Sequence, residues 1–212
     1  MRVLIACEYS GVVRDAFTKK GWCAVSCDLL PSETEGKHYK GDVLDILGDG
    51  WDLLIAHPPC QYLSFAGNKY WNNEGCEAKR MDAYKFFLQC YNAPIKHVCV
   101  ENPRGYPMRF ISPSQEIHPY FFGDNEMKRT CLWLRNLPKL VHISTNDLFD
   151  GQTHCPRPLP TYIQANGKRR YFTESSWAKK NAQKIRSKTF PAIAEAMAEQ
   201  WTNFFNQRKT HL

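Results

Sequence analysis

The sequence predicts one α/β domain, a mostly parallel sheet with helices on both faces. Three observations predict it. Short apolar runs alternate with segments of helical spacing through the first half of the chain, the pattern of strands joined by crossover helices. The chain has 212 residues, 43% of them hydrophobic, which suffices for one ordinary domain with a real core. Reactive or ionisable residues come directly after the apolar runs: Glu8, Asp28, Cys60 and Glu101 each follow a predicted strand. Sheets of this kind collect their ligands at the carboxyl ends of the strands.

The elements follow in order. Arg2–Cys7 (RVLIAC) reads as a buried strand, and Val12–Lys20 as a helix ended by Gly21. Cys23–Cys27 is a strand running into Asp28-Leu29-Leu30-Pro31, and Gly41-Asp42-Val43 is a short strand or sheet edge. Asp52–Ala56 is a strand that runs straight into His57-Pro58-Pro59-Cys60. Glu77–Tyr91 carries Ala83, Phe86, Phe87 and Cys90 at helical spacing. Lys96–Val100 is a strand ending in Glu101-Asn102-Pro103, and Arg129–Leu134 is a further strand. Leu140–Asn181 has weak periodicity and many turn residues, among them Gly151, Pro156, Pro158, Pro160 and Gly167. Phe190–Phe205 is helical, with Ile193, Ala194, Met197, Trp201 and Phe204 on one stripe and Pro191 near its start. The chain therefore divides into an α/β core (1–137), a short basic insertion (138–183) and a helix returning to the core (184–212).

Composition excludes several classes. No run of 18 apolar residues exists, so no membrane span is expected. The apolar run at the N-terminus, Val3 to Cys7, is too short for a signal peptide. The nine cysteines are odd in number and contain no CxxC pair, and several sit inside apolar runs. This suits a reduced, cytoplasmic protein better than a disulfide scaffold. His154, Cys155 and Cys131 lack the spacing of a metal site, and no metal is expected. The formal charge is +7. From Gly151 onward there are 11 Lys/Arg against 3 Asp/Glu, whereas residues 1–150 hold 17 against 18. A basic segment on a near-neutral body suits an anionic partner such as nucleic acid, although a solvated charged face has the same composition.

Two stretches carry chemistry. In HPPCQYLSFAG (His57–Gly67), two prolines fix the backbone after a buried strand and present Cys60 at its end. His57 reads as a general base or as a hydrogen-bonding prop for the loop. In VCVENPRG (Val98–Gly105), Glu101 stands at the end of the next strand, 41 positions after Cys60 and one helix away. If the two strands are neighbours, a thiol and a carboxyl face one crevice. Each residue alone has a plainer reading, Cys60 as a core thiol and Glu101 as a turn or cap.

Together, HPPCQYLS and ENPRG resemble the DNA cytosine-5 methyltransferases, whose signature is a Pro-Cys loop followed by a Glu-Asn-Val segment. KRTCLWL (Lys128–Leu134) is similar to that family's basic motif, and RSKTFPAIAEAMAEQW (Arg186–Trp201) to its final motif. More narrowly, the chain resembles the short members encoded by bacteriophages. The resemblance implies a Rossmann-like class I methyltransferase fold and S-adenosylmethionine-dependent methylation of cytosine at carbon 5 in DNA. It also implies that Cys60 adds to carbon 6, that Glu101 acts as an acid at N3, and that Arg129 contacts the ring with help from Lys128. The chemistry explains the residue types. Carbon 5 is a poor nucleophile until a thiolate at carbon 6 turns the ring into an enamine. A thiol of ordinary pKa, about 8.5, needs an electropositive or dipolar setting to ionise readily.

For the cofactor, the segment Ala6–Phe17 offers Glu8, Ser10 and Gly11 near the methionine part. Asp28 would meet the ribose hydroxyls, Asp42 the adenine amino group, and Pro58 would lie alongside. Each acid is equally a turn or cap residue by sequence. For nucleic acid, Lys168, Arg169 and Arg170 begin a basic run that continues through Lys179-Lys180 and Lys184 to Lys188, with Tyr162, Tyr171, Phe172 and Trp177 interleaved. Cations suit phosphates, and aromatics suit unstacked bases. The interval 138–183 is short for a target-recognition region, so sequence readout is either limited or supplied by a second subunit. A duplex target also has to be flipped out; the loop at Tyr70-Trp71 reads as packing or as a cover for the site. Three alternatives stand beside the main reading: an amino-group methyltransferase acting on adenine N6 or cytosine N4, cytosine-5 modification of RNA or a free nucleotide, and an inactive nucleic-acid-binding relative.

Overall fold

At the centre of the computed structural model, strand β1 (Arg2–Ala6) is buried on both faces. Residues 1–65, 71–142, 145–146, 153–154, 157–171 and 188–209 are described. Val3 and Ile5 point to one side of the sheet, Leu4 and Ala6 to the other, and all four are fully buried. A strand covered on both faces is a near-continuous apolar run, which is why this segment does not alternate. Strands β2 (Cys23–Asp28), β3 (His38–Lys40), β4 (Leu53–Ala56), β5 (His97–Asn102), β6 (Gln115–Ile117) and β7 (Thr130–Arg135) complete a seven-stranded sheet ordered β3-β2-β1-β4-β5-β7-β6. The pairings from β3 through β5 are parallel, and β7 runs antiparallel to both β5 and β6. The fold is the expected Rossmann-like α/β arrangement.

One face is covered by α1 (Val12–Lys19) and α3 (Pro191–Lys209), the other by α2 (Cys76–Tyr91). Helix α3 is anchored by the fully buried Met197 and Trp201, the apolar stripe predicted for it. Trp22 Nε1 donates to Thr202 Oγ1 at 2.8 Å, and Trp201 Nε1 to the Pro138 carbonyl at 3.1 Å. Asp124 Oδ2 accepts the Ala192 N–H at 3.2 Å and caps the first turn of α3.

One local expectation changes. Gly41–Val43 is not a strand: β3 lies just before it, and Val43–Asp45 is a 3-10 turn. The reason is Asp42, whose Oδ1 accepts the Leu44 N–H at 3.0 Å and offers the backbone a cap in place of a ladder. Strand β6 was not legible, because Gln-Glu-Ile carries no apolar alternation. In the basic insertion, short antiparallel ribbons pair Thr145–Asn146 with Thr153–His154, and Tyr162–Ile163 with Arg169–Arg170. No helix among the described residues is long and apolar enough to cross a membrane.

Candidate active site at the strand tips

The strand order reverses between β1 and β4, and a crevice opens at this switch point, where open α/β sheets bind ligands. It is lined by Cys7, Glu8, Tyr9, Ser10, His57, Lys188 and Thr189. Cys7 leaves β1 in the left-handed region, with φ 58°, a conformation costing a non-glycine residue ~1–2 kcal/mol. That turn carries Glu8 back under helix α1. Its Oε1 accepts the Val13 N–H at 2.7 Å and its Oε2 the Arg14 N–H at 3.2 Å, while Ser10 Oγ is 3.4 Å from Oε1. Glu8 thus caps the helix from a buried position. Burial pushes its carboxyl above the ordinary range, against the downward pull of His57, the two N–H groups and Arg14.

Gly11 begins α1 with φ 76°, and the space where a side chain would stand is filled by Thr34 and Arg14. Arg14 is itself buried. Its guanidinium donates to Ser26 Oγ (3.2 Å), Ser32 Oγ (3.0 Å), Thr34 Oγ1 (2.6 Å) and the Glu35 carbonyl (2.8 Å). It pins the loop after β2 over the start of α1. Lys188 closes the same side by an ion pair to Glu33.

At the tips of β4 and β5 the two sequence motifs form one clamp. Asn102 is buried, and its Nδ2 donates to the Pro58 carbonyl at 2.7 Å. Further along, Phe65 N donates to the Arg104 carbonyl (3.0 Å) and Tyr106 N to the Leu63 carbonyl (2.7 Å). Ser64 and Gly105 make an antiparallel bridge. The backbones approach so closely that a Cβ on Gly105 would stand 1.9 Å from the Leu63 carbonyl oxygen. Between these ties the loop turns, with the Cys60 carbonyl accepting from Leu63 N (3.1 Å) and Ser64 N (2.9 Å). Cys60 itself is exposed and lies outside any disulfide. Burial pushes the thiols of Cys27, Cys90 and Cys131 up to about 12, and those of Cys7 and Cys99 well above the ordinary value. Cys60 is therefore presented to solvent by a braced loop, whereas Cys27, Cys90, Cys99 and Cys131 are core thiols.

Glu101 stands one strand away, half-buried, with Oε2 3.0 Å from His57 Nδ1. Burial alone raises its affinity for a proton. The His57 hydrogen bond, the Lys128 ammonium and a Thr130 hydrogen bond outweigh burial and hold the carboxyl below its ordinary value. The resting group is thus a carboxylate. His57, read from the sequence as a general base or a prop for its loop, directs its Nδ1 hydrogen bond to Glu101 on the neighbouring strand.

The remaining predicted residues fall as follows. Asp28, at the tip of β2, spends Oδ1 on the Leu30 N–H (2.9 Å). Asp42 caps its 3-10 turn from an exposed position. Pro58 is buried with its carbonyl held by Asn102. Arg129 is half exposed, with Nε 3.8 Å from Glu116 Oε2; Glu116 Oε1 holds Arg104 at 2.6 Å. Lys128 Nζ lies 5.5 Å from the Phe190 ring centroid. Lys168, Arg169 and Arg170 are on the second ribbon, away from the crevice lining, beside the exposed Tyr162 and Ile163. Lys179, Lys180, Lys184, Arg186, Phe172, Trp177, Tyr70 and Cys155 lie outside the described residues. Trp71 packs edge-on against Tyr106 at 6.0 Å, with Arg80 4.4 Å over its ring. No cluster of three or more His, Cys, Asp or Glu able to hold a metal occurs among the described residues. A wider hollow between Asp124–Glu126 and Leu159–Thr161 contains none of the strand-tip groups.

Sequence reasoning did not assign Asn102, Gly105 or Thr130. The first was signalled by a polar residue continuing an apolar strand, the second by a glycine directly after Pro-Arg; nothing in the sequence pointed to Thr130.

No protein-family model and no curated protein matches the chain. Among solved structures the chain is similar to the Entamoeba histolytica methyltransferase EhMeth, with 14% sequence identity and a TM-score of 0.47. The similarity covers 77% of this chain and 61% of that one, so the chain spans less than two thirds of the length of that protein.

Proposed function

We propose that the protein is an S-adenosylmethionine-dependent methyltransferase that modifies cytosine at carbon 5, with DNA as its substrate. The observation that carries the reading is the pair of braced tips on neighbouring strands, with an exposed thiol, Cys60, on the loop after β4 and a half-buried carboxylate, Glu101, on β5. An amino-group methyltransferase needs no thiol at that position.

The buried groups of the switch-point crevice fit the cofactor at one end, where His57 Nε2 is without a partner among the described residues. Asp28 is at the strand tip that suits ribose hydroxyls, and Asp42 is on the same edge for the adenine amino group. When bound, S-adenosylmethionine supplies a methyl group on a sulfonium centre. The chain's own residues do the rest. Cys60, as thiolate, adds to carbon 6 of a base brought out of its stack. Glu101 binds the N3 edge and neutralises the charge developing there. Because its resting form is ionised, the base must raise its affinity for a proton on entering, as exclusion of water does. After transfer a base removes the carbon-5 proton and Cys60 departs by elimination. Lys128, just before β7, supplies positive charge to Glu101, and Arg129, next to it in the chain, contacts the ring. The ribbon carrying Lys168, Arg169 and Arg170 suits the phosphate backbone.

The test is incorporation of labelled methyl groups into duplex DNA, RNA and cytidine nucleotides, with base-resolution mapping of the product. Carbon-5 methylcytosine in DNA, lost in Cys60→Ala, is the expected result. One observation favours a second reading, a nucleic-acid-binding relative without turnover: Glu8 and the first turn of α1 satisfy each other. That reading predicts salt-sensitive DNA binding and no label in any substrate.

A further inference from the structure

His57 sits between the two halves of the site. Its side chain is 7% exposed. Nδ1 faces the Glu101 carboxylate at 3.0 Å and so carries the ring hydrogen. In the neutral ring Nε2 is then an acceptor. Nε2 is buried and has no hydrogen-bond donor among the described residues. A native fold rarely leaves such an atom unpaired unless something else fills the place.

The surroundings specify the missing donor. His57 lines the switch-point crevice together with Glu8 and Ser10. Glu8 is close enough for its carboxyl and the imidazole to interact electrostatically. An acceptor nitrogen beside a carboxyl suits a donor with positive charge. Lys188, the cation in the lining, is engaged by Glu33.

We propose that His57 joins two subsites: Nδ1 orients Glu101, and Nε2 accepts a hydrogen bond from the amino group of an amino-acid moiety seated in the crevice between β1 and β4. The proposal rests on the methyltransferase reading, whose cofactor carries such an amino group. It makes His57 a positioning residue. An occupied crevice engages both ring nitrogens and fixes the carboxylate before the base arrives. By linkage, a base on Glu101 tightens binding in the crevice by the same factor.

The experiment is calorimetry with three adenosine thioethers: S-adenosylhomocysteine, its analogue lacking only the α-amino group, and methylthioadenosine, which lacks the whole amino-acid part. The proteins are wild type, His57→Asn and His57→Gln. Asparagine keeps a donor near the Nδ1 position and removes the Nε2 acceptor; glutamine puts an acceptor near Nε2. The expected result has wild type preferring S-adenosylhomocysteine to the desamino analogue by about tenfold. His57→Asn loses about that factor for S-adenosylhomocysteine alone, His57→Gln retains most of it, and methylthioadenosine binds all three proteins alike. Equal loss for all ligands, or no loss for any, overturns the proposal and leaves the methyltransferase reading in place. Wild type binding none of the three overturns both. Should His57→Asn fail to fold, the wild-type comparison of the first two ligands decides.

Discussion

The tip of β1 and the tips of β4 and β5 spend their polar groups in different ways. At β1 the side chains turn inward: Glu8 caps α1, Arg14 satisfies the loop after β2, and the room beside Gly11 is filled by Thr34. At β4 and β5 the polar side chains brace one another and the loop between the strands. Asn102 ties down Pro58, His57 steadies Glu101, and Cys60 stands exposed on the loop. The first tip spends its polar groups on helix α1 and the loop after β2; the second spends them on fixing Glu101 and the backbone that presents Cys60.

The largest expected effect breaks the comparison at its exposed thiol. Cys60→Ser lowers turnover by at least ~10⁴-fold, the scale of losing a nucleophile. The thermal midpoint does not move, because the side chain is exposed. Labelled methyl transfer and a melting curve check both halves.

Gly105→Ala attacks the clamp. Its Cβ meets the Leu63 carbonyl, so the loop must shift. A loss of about 1–3 kcal/mol is expected, with a fall of roughly 2–4 °C in Tm per kcal/mol. Turnover falls further than stability, because the shift displaces Cys60. Gly11→Ala is the matched control. It forces a side chain into a left-handed position against Thr34 and costs about 1–3 kcal/mol, but the rate at which Cys60 reacts with a soluble thiol reagent stays the same.

The two carboxyls sharpen the comparison through pH. Glu101 is held below its ordinary value, so it contributes stability above that value and loses it as pH falls through the lowered one. Glu8 is held above its ordinary value, so its contribution has the reverse sign, full at low pH and lost as pH rises through the raised value. Denaturant unfolding from neutral pH to about pH 4 should therefore show the gap between wild type and Glu101→Gln narrowing with acid. The balance between wild type and Glu8→Gln should move in favour of wild type.

The smallest effect belongs to the ribbon. Arg169→Ala weakens DNA binding uniformly across sequences and lowers the salt slope by about 1, with kcat at saturating DNA unchanged. Fluorescence anisotropy across a salt series reads the slope.

Much of this was legible in the chain itself. Strands β1, β2, β4 and β5 announce themselves as apolar runs because both faces are covered, and the helical stripe of Met197 and Trp201 is equally plain; β3, the polar and largely exposed His38–Lys40, does not. The adjacency of β4 and β5 followed from one intervening helix between consecutive strands. What stayed hidden depends on partners distant in sequence. Nothing local says that Glu8 caps a helix, that Arg14 is buried, or that Asn102 reaches back 44 positions to Pro58. Strand β6 exists because β7 offers it an edge, and its own three residues carry no signal.

The most direct test of the central claim is covalent trapping. An oligonucleotide carrying 5-fluorocytosine, incubated with the protein and S-adenosylmethionine, blocks the final elimination, because fluorine takes the place of the proton that must leave. The account predicts a stable protein–DNA adduct whose peptide map places the base on Cys60, absent from Cys60→Ser. Methyl transfer to ordinary cytosine with no adduct on the fluorinated one would contradict it.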